Sequence, residues 1–264
     1  MTMLAVGSTK RATRTFRTWL DALQADGRLD VVERTVDLRF KLAAIAKRLD
    51  GRAVLFTSVA GHTMPVVCGI VSTRAMIADA CGCAERDLAH RFAAAVAEPV
   101  PATPVAREDA PCKARVVLDG IDLTAMLPLP VHHEHDAGQY VTAGLFIVRD
   151  PVTRKQNVCI HRLQATGPNR FGALILPRHT HHLQAAAERR GEPLECAIVI
   201  GADPATLLAS QASTAFGVDE LEVAGALRGA PLPVVRCETV DIDTMAVARP
   251  RTGPPFAAPG EGAR

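Results

Sequence analysis

Residues 157–182 read NVCIHRLQATGPNRFGALILPRHTHH. After Asn157 the apolar residues alternate (Val158, Ile160), as along a strand with one buried face. A turn containing Gly167 and Pro168 follows, and then a mostly apolar run from Phe171 to Leu176. Asn157, Arg162 and, after the apolar run, His179, His181 and His182 thus emerge from what reads as a two-stranded element. Side chains able to bind metals and anions, set on such an element, point to a ligand site on a β scaffold.

The sequence around this stretch extends the pattern. Short β-rich runs stand at 114–118 (ARVVL), 139–150 (QYVTAGLFIVRD), 156–165 (QNVCIHRLQA), 171–176 (FGALIL) and 196–201 (CAIVIG). Asp, Gly and Pro turns separate them, which predicts a small barrel or a twisted sheet. Helical spacing interrupts at 181–190, closed by Gly191, at 205–210, and at 219–229 (DELEVAGALRG), closed by Gly229. Upstream the texture is mixed. Phe16, Trp19, Leu20 and Leu23 form one apolar stripe ended by Gly27, 40–49 returns to helical spacing, and 73–97 is Ala-rich and free of Pro. Between and around these lie strand-like runs at 30–36, 53–59 and 65–71, a β/α alternation typical of a mixed domain. Three prolines in 98–104 (EPVPATP) predict an extended linker. The expected organisation is α+β: residues 1–104 as an α/β domain with its linker, and 105–243 as a β-rich domain.

Composition narrows the function classes. Hydrophobic residues at 48% and charged residues at 22% describe a globular protein with a substantial core. A net charge of +2 and ten aromatic residues in 264 give neither a basic face nor stacking platforms, so no nucleic-acid partner is expected. No run approaches the roughly 18 apolar residues of a membrane span. The N-terminus places its apolar residues before its basic ones, the reverse of a signal peptide, and reads as a frayed end. Seven Cys without a C-x-x-C are taken as free thiols of a reducing cytoplasm.

Several groups could carry chemistry. HHEHD (132–136) holds four or five possible ligands, but adjacent residues diverge on any regular backbone, so an exposed loop at a site entrance is expected. Asn157, His179 and Glu220 offer an amide oxygen, an imidazole and a carboxylate, a set suited to Mn²⁺ or Mg²⁺ with phosphate oxygens. On residue types alone, a turn Asn, a surface His and a solvated acid are the preferred reading of the same three. Arg162 lies five residues beyond Asn157, on the opposite strand face unless a turn intervenes; it is either a buried Arg with an anionic partner or an edge Arg in water. GADPA (201–205) reads as a strand-to-helix turn with Asp203 as cap and Pro204 at the first helical position.

Taken in order, 19–29, 49–61, 122–151, 157–164, 196–205, 220–229 and 231–243 resemble the UbiD-like decarboxylases, which use prenylated FMN. The resemblance covers nearly everything from residue 15 to residue 243. It implies an α/β domain followed by a flavin-reductase-like split β-barrel. It further implies a divalent metal, typically Mn²⁺, on Asn157, His179 and Glu220 that bridges to the cofactor phosphate, with K⁺ nearby. Asn157, Val158, Cys159, Ile160, His161, Arg162, Arg178, His179 and Glu220 become cofactor contacts, and Arg162 the catalytic residue at the reacting end. The implied activity is non-oxidative decarboxylation of an aromatic or α,β-unsaturated acid in the cytoplasm, with a flavin prenyltransferase as cofactor supplier. The family's acidic stretch and C-terminal domain have no counterpart here, and 244–264 reads as a disordered Pro/Gly/Arg tail. The alternative expectation is therefore a truncated cofactor- or metal-binding remnant without turnover, lacking the family's usual homo-oligomer interface.

Overall fold

The computed structural model describes residues 15–247. The first helix, α1 (Phe16–Ala25), begins at a capping box: the Thr15 side chain accepts from Thr18 N. Its buried face carries Trp19, Leu20 and Leu23, and Trp19 Nε1 donates to the Ile70 carbonyl at 2.9 Å. Strand β1 (Leu29–Val32), helix α2 (Lys41–Arg48), and strands β2 (Ala53–Phe56) and β3 (Val66–Cys68) complete a three-stranded sheet. The central strand β2 is buried at all four positions because both its faces are covered. Ala53 and Leu55 face Trp19, Leu23 and Met76, while Val54 and Phe56 face Val36, Leu42 and Val59.

Helices α3 (Arg74–Ala80) and α4 (Leu88–Ala97) follow, separated at Cys81-Gly82-Cys83, where Gly82 takes a φ of +69°. The helical run read from 73 to 97 is thus two helices. Then come β4 (Thr103–Pro104), α5 (Leu123–Met126), β5 (Tyr140–Val141), β6 (Leu145–Arg149), β7 (Gln156–Ile160), β8 (Leu163–Gly167) and β9 (Arg170–Ala173). The described chain ends through α6 (His179–Arg190), β10 (Cys196–Val199), α7 (Pro204–Ala209), α8 (Glu220–Arg228), β11 (Pro233–Arg236) and β12 (Asp243–Met245). The strands of this second half make three sheets of three, ordered β10-β6-β7, β12-β11-β4 and β5-β8-β9. Among the described residues none of them closes on itself.

The proline-rich stretch is docked rather than free. Val100 N donates to the Glu222 carbonyl, and β4 pairs in parallel with β11, Thr103 opposite Pro233. Gly225, inside α8, permits this approach: a Cβ there would lie 2.9 Å from the Val100 carbonyl oxygen. Arg91 on α4 donates to the Ala226 and Leu227 carbonyls at the end of α8. Ala78, Cys81, Leu88 and Ala95 share one core with Leu145, Ile147, Leu221 and Leu227. The helices before the linker therefore pack into the same core as the strands after it.

Three expectations need correction. ARVVL (114–118) is not a strand: Val116, Val117 and Leu118 are exposed and make no ladder among the described residues. FGALIL keeps its strand only to Ala173, after which Leu174 and Leu176 turn outward. The tail expected from residue 244 begins inside β12, where Met245 pairs with Val234 and is 1% exposed, so burial holds it in the sheet. The rest of that tail, 248–264, and the N-terminal end, 1–14, lie outside the described residues.

Candidate functional site

Strand β7 is an edge of its sheet, so its outward amides need partners other than a strand. One of them, Val158 N, donates to Glu220 Oε2 at 2.7 Å. Glu220 opens α8, where the Asp219 side chain caps Leu221 N and negative charge suits the helix start. The other carboxylate oxygen accepts from Thr214 Oγ1 at 3.2 Å. Glu220 is 3% exposed, and burial pushes its carboxyl up to about 7 despite the Val158 bond. Among the described residues no cationic side chain pairs with it. Asp219 beside it is also pushed up, again chiefly by burial.

Asn157 precedes Val158 on the same strand. Its Oδ1 lies 3.2 Å from His179 Nδ1, and its Nδ2 donates to Thr180 Oγ1 at 3.1 Å. His179 is the first residue of α6, which starts two residues earlier than the spacing predicts. That helix has no side-chain cap and no acid in its first turn, with the exposed Arg178 at the cap position. An uncapped helix start presents amide N–H groups and a positive dipole end to any anion beside it. His179 and His182 both pack edge-on against Phe216, at 5.4 and 5.2 Å between centroids. The structure thus joins Asn157 directly to His179 and sets Glu220 on the next residue of the strand; Glu220 itself hydrogen-bonds neither.

Further along, Cys159 Sγ lies 3.2 Å from His161 Nε2 and 3.3 Å from Thr180 Oγ1. Burial raises the Cys159 thiol and lowers His161, whose ring stacks edge-on against Phe146. Ile160 closes the strand. Arg162 falls between β7 and β8, at the corner where the chain passes from one sheet to the next, so strand parity does not govern its direction. It is exposed, and among the described residues its guanidinium has no hydrogen-bond or ion-pair partner.

Other candidates resolve differently. HHEHD forms an exposed turn in which Asp136 Oδ2 accepts from His132 N and His133 N, and the His133 and His135 rings stack at 5.1 Å. Among the described residues no three His, Cys, Asp or Glu gather to hold a metal. The donor set of Asn157, His179 and Glu220 includes an amide oxygen, which such a grouping omits. Asp203 caps α7 as expected. It also forms a buried ion pair with Arg228 Nη1 at 2.6 Å, which sequence spacing could not reveal across 25 residues. All seven Cys are free, and Cys196 is exposed. A cavity of about 1370 Å³ lies elsewhere, between α1, α2 and the 127–134 loop, lined by Leu20, Phe40, Val67, Leu129 and Ile200. Apolar packing dominates it, and none of the clustered polar residues on β7, α6 and α8 reaches it.

Fold and site together define a mixed α+β protein that sets an amide oxygen and an imidazole nitrogen beside an uncapped helix start. Residues 20–96 match the 3-octaprenyl-4-hydroxybenzoate carboxy-lyase N-terminal domain, and residues 103–249 match the Rift-related domain of the same enzymes. The chain belongs to the UbiD family. It is 37% identical over 213 residues to the anhydromevalonate phosphate decarboxylase of Methanothermobacter thermautotrophicus, covering 81% of this chain and 49% of that one. Among solved structures it is similar to the UbiD-class enzyme HmfF of Pelotomaculum thermopropionicum in complex with FMN. That match has a TM-score of 0.88 at 48% identity, over 89% of this chain and 53% of that one. An evolved dimeric form of the same enzyme with prFMN matches at a TM-score of 0.87. The chain spans about half the length of the curated relatives it matches.

Proposed function

We propose that this chain forms the cofactor-holding part of a prenylated-FMN-dependent decarboxylase acting on an aromatic or α,β-unsaturated carboxylic acid. The observation that carries the reading is Glu220: a deeply buried carboxylate without a cationic partner among the described residues, bound to the strand amide next to Asn157, which itself contacts His179. A divalent ion such as Mn²⁺ on Asn157, His179 and Glu220 would relieve that burial, and hard oxygen donors with one imidazole suit it. The open start of α6 and Arg178 offer the complementary place for the cofactor phosphate. The remaining contacts fall to the segment from Asn157 to Arg162, with K⁺ as a second, monovalent ion nearby. The named neighbours with prFMN and FMN and the relatives named as decarboxylases support the reading.

In this reading 1–104 form the N-terminal unit and 105–243 the split barrel, whose halves are the β10-β6-β7 and β5-β8-β9 sheets. Arg162 sits at the corner between them, and its unpartnered guanidinium would hold the substrate carboxylate in bidentate fashion. When bound, the modified flavin supplies the electron sink for loss of CO₂. Phe146, on the sheet face shared by Asn157 and Cys159, excludes water, and His161, held neutral by burial, can accept a hydrogen bond. The whole protein would draw its cofactor from a flavin prenyltransferase, assemble as a homo-oligomer and work in the cytoplasm.

Expression in cells that make prenylated FMN, followed by a visible spectrum, tests the cofactor. The expected result is a coloured protein that holds its colour through gel filtration with Mn²⁺. A colourless protein that gains no colour on reconstitution refutes the proposal. If CO₂ is released, Arg162→Ala should reduce the rate at least tenfold, and unchanged release removes Arg162 from the reacting end.

A further inference from the structure

The amide of Asn157 can serve a cation only if its oxygen, not its nitrogen, faces the site, and the side chain alone does not choose between the two. Thr180, 2% exposed on the first turn of α6, is placed to make the choice. Its Oγ1 lies 3.1 Å from Asn157 Nδ2 and 3.3 Å from Cys159 Sγ. Cys159 in turn reaches the Phe146 carbonyl at 3.8 Å and His161 Nε2 at 3.2 Å.

These bonds have a direction. A backbone carbonyl can only accept, so the Phe146 oxygen anchors the chain. With the thiol hydrogen spent on Phe146 or on His161, the sulfur offers only lone pairs to Thr180 Oγ1 and to Asn157 Nδ2, the latter 3.8 Å away. The Thr180 hydroxyl then donates to sulfur, and its oxygen must accept. The Asn157 NH₂ supplies that hydrogen, which turns Oδ1 toward His179 Nδ1, 3.2 Å away. We infer that Thr180 is a positioning residue that fixes the Asn157 amide with its oxygen toward the cation, with Cys159 holding the Thr180 hydroxyl in register.

The inference rests on the proposed metal role of Asn157, and the test separates the two. Groups of this kind behind a ligand typically change metal affinity by about 10- to 100-fold. Free Mn²⁺ is followed by electron paramagnetic resonance during titration of the full chain in the presence of FMN. Five variants are compared with the unaltered protein: Asn157→Ala, Thr180→Val, Thr180→Ser, Asn157→Asp and the double variant Thr180→Val with Asn157→Asp. Thr180→Val keeps the shape and removes the hydroxyl, and should weaken Mn²⁺ about 10- to 100-fold. Thr180→Ser should restore binding to within about threefold, because the hydroxyl is the active feature. Adding Thr180→Val to Asn157→Asp should cost less than about threefold, since a carboxylate has two equivalent oxygens and nothing to orient. That last comparison also controls for folding, because a merely structural defect would persist in the Asp background. If Asn157→Ala weakens Mn²⁺ while Thr180→Val does not, the positioning role is overturned and the metal reading stands. If Thr180→Val is equally damaging in both backgrounds, the role is structural and the inference fails. If Asn157→Ala leaves Mn²⁺ binding unchanged, the metal reading falls and the inference with it.

Discussion

Without a bound cation, Glu220 should make the folded chain less stable as pH rises. Burial lifts its carboxyl from the ordinary 4.5 to about 7, so between those values the folded state holds a proton that the unfolded state has released. Stability changes with pH by the difference in protons bound, unfolded minus folded. That difference is negative in this window. The contribution is therefore fully present below about 4.5 and lost as pH rises through about 7. At 1.36 kcal/mol per pKa unit the loss amounts to about 3 kcal/mol, most of it between pH 5 and pH 8. Glu220→Gln removes the titration while keeping an acceptor for Val158 N. Urea unfolding in EDTA, followed at each pH unit from 5 to 8, should show the two proteins near parity at pH 5. The Gln variant should be more stable by about 3 kcal/mol at pH 8. Carboxylates that do not interact with Glu220 cancel in the difference, whereas Asp219, also pushed up by burial, is charge-coupled to Glu220 and adds to it with the same sign. Asp243 and Asp150, held low by their partners, titrate below the window with the opposite sign. Mn²⁺ at 100 times its dissociation constant should return about 2.7 kcal/mol to the unaltered protein at pH 8 and much less to the variant. Parallel stability curves in EDTA would refute the claim that this carboxyl is strained by burial.

Three further outcomes follow from packing. Arg228→Met should cost about 3–5 kcal/mol by leaving Asp203 buried and unpaired, whereas Arg228→Met with Asp203→Asn should recover most of it in urea melts. Gly225→Ala gains helix propensity worth about 1 kcal/mol, yet should destabilise by about 1–3 kcal/mol because its methyl meets the Val100 carbonyl at 2.9 Å; a raised melting temperature would contradict the docked linker. Trp19, fully buried and the single tryptophan of the chain, should emit in the blue when folded and shift red on unfolding, and a red-shifted native spectrum would contradict its packing under Ile70.

Much of the α+β order could be read from periodicity, because strong apolar patterns at 16–23, 53–56 and 145–149 met a core that rewards them. The failures were at positions where periodicity and burial part company. Val116, Val117 and Leu118 have strand composition, yet their side chains are exposed. Thr103 and Pro104 have linker composition, yet they join a ladder because β11 presents an edge to them. For the site, residue types suggested Asn157, His179 and Glu220, but spacing could not show that Asn157 touches His179 or that Glu220 binds the strand amide next to Asn157. Thr180 escaped entirely: a threonine between two histidines carries no pattern, and only its position behind Asn157 gives it meaning. The pairing of Asp203 with Arg228 was hidden for the same reason.

The docking of the proline-rich stretch has a kinetic consequence. Its partners, Glu222 and Pro233, lie well over a hundred residues further along the chain, and Arg91 reaches equally far to the end of α8. Joining such distant segments carries a loop-closure entropy that must be met before the contacts stabilise anything, so this seam forms late. Among the described residues the clusters on the two faces of the β1–β3 sheet are built from residues 16–80 and close over shorter separations. Refolding should accordingly run in two stages: tryptophan burial first, then the seam that fastens α4 and the linker to α8. On a ribosome the second stage has to wait until β11 has left the exit tunnel.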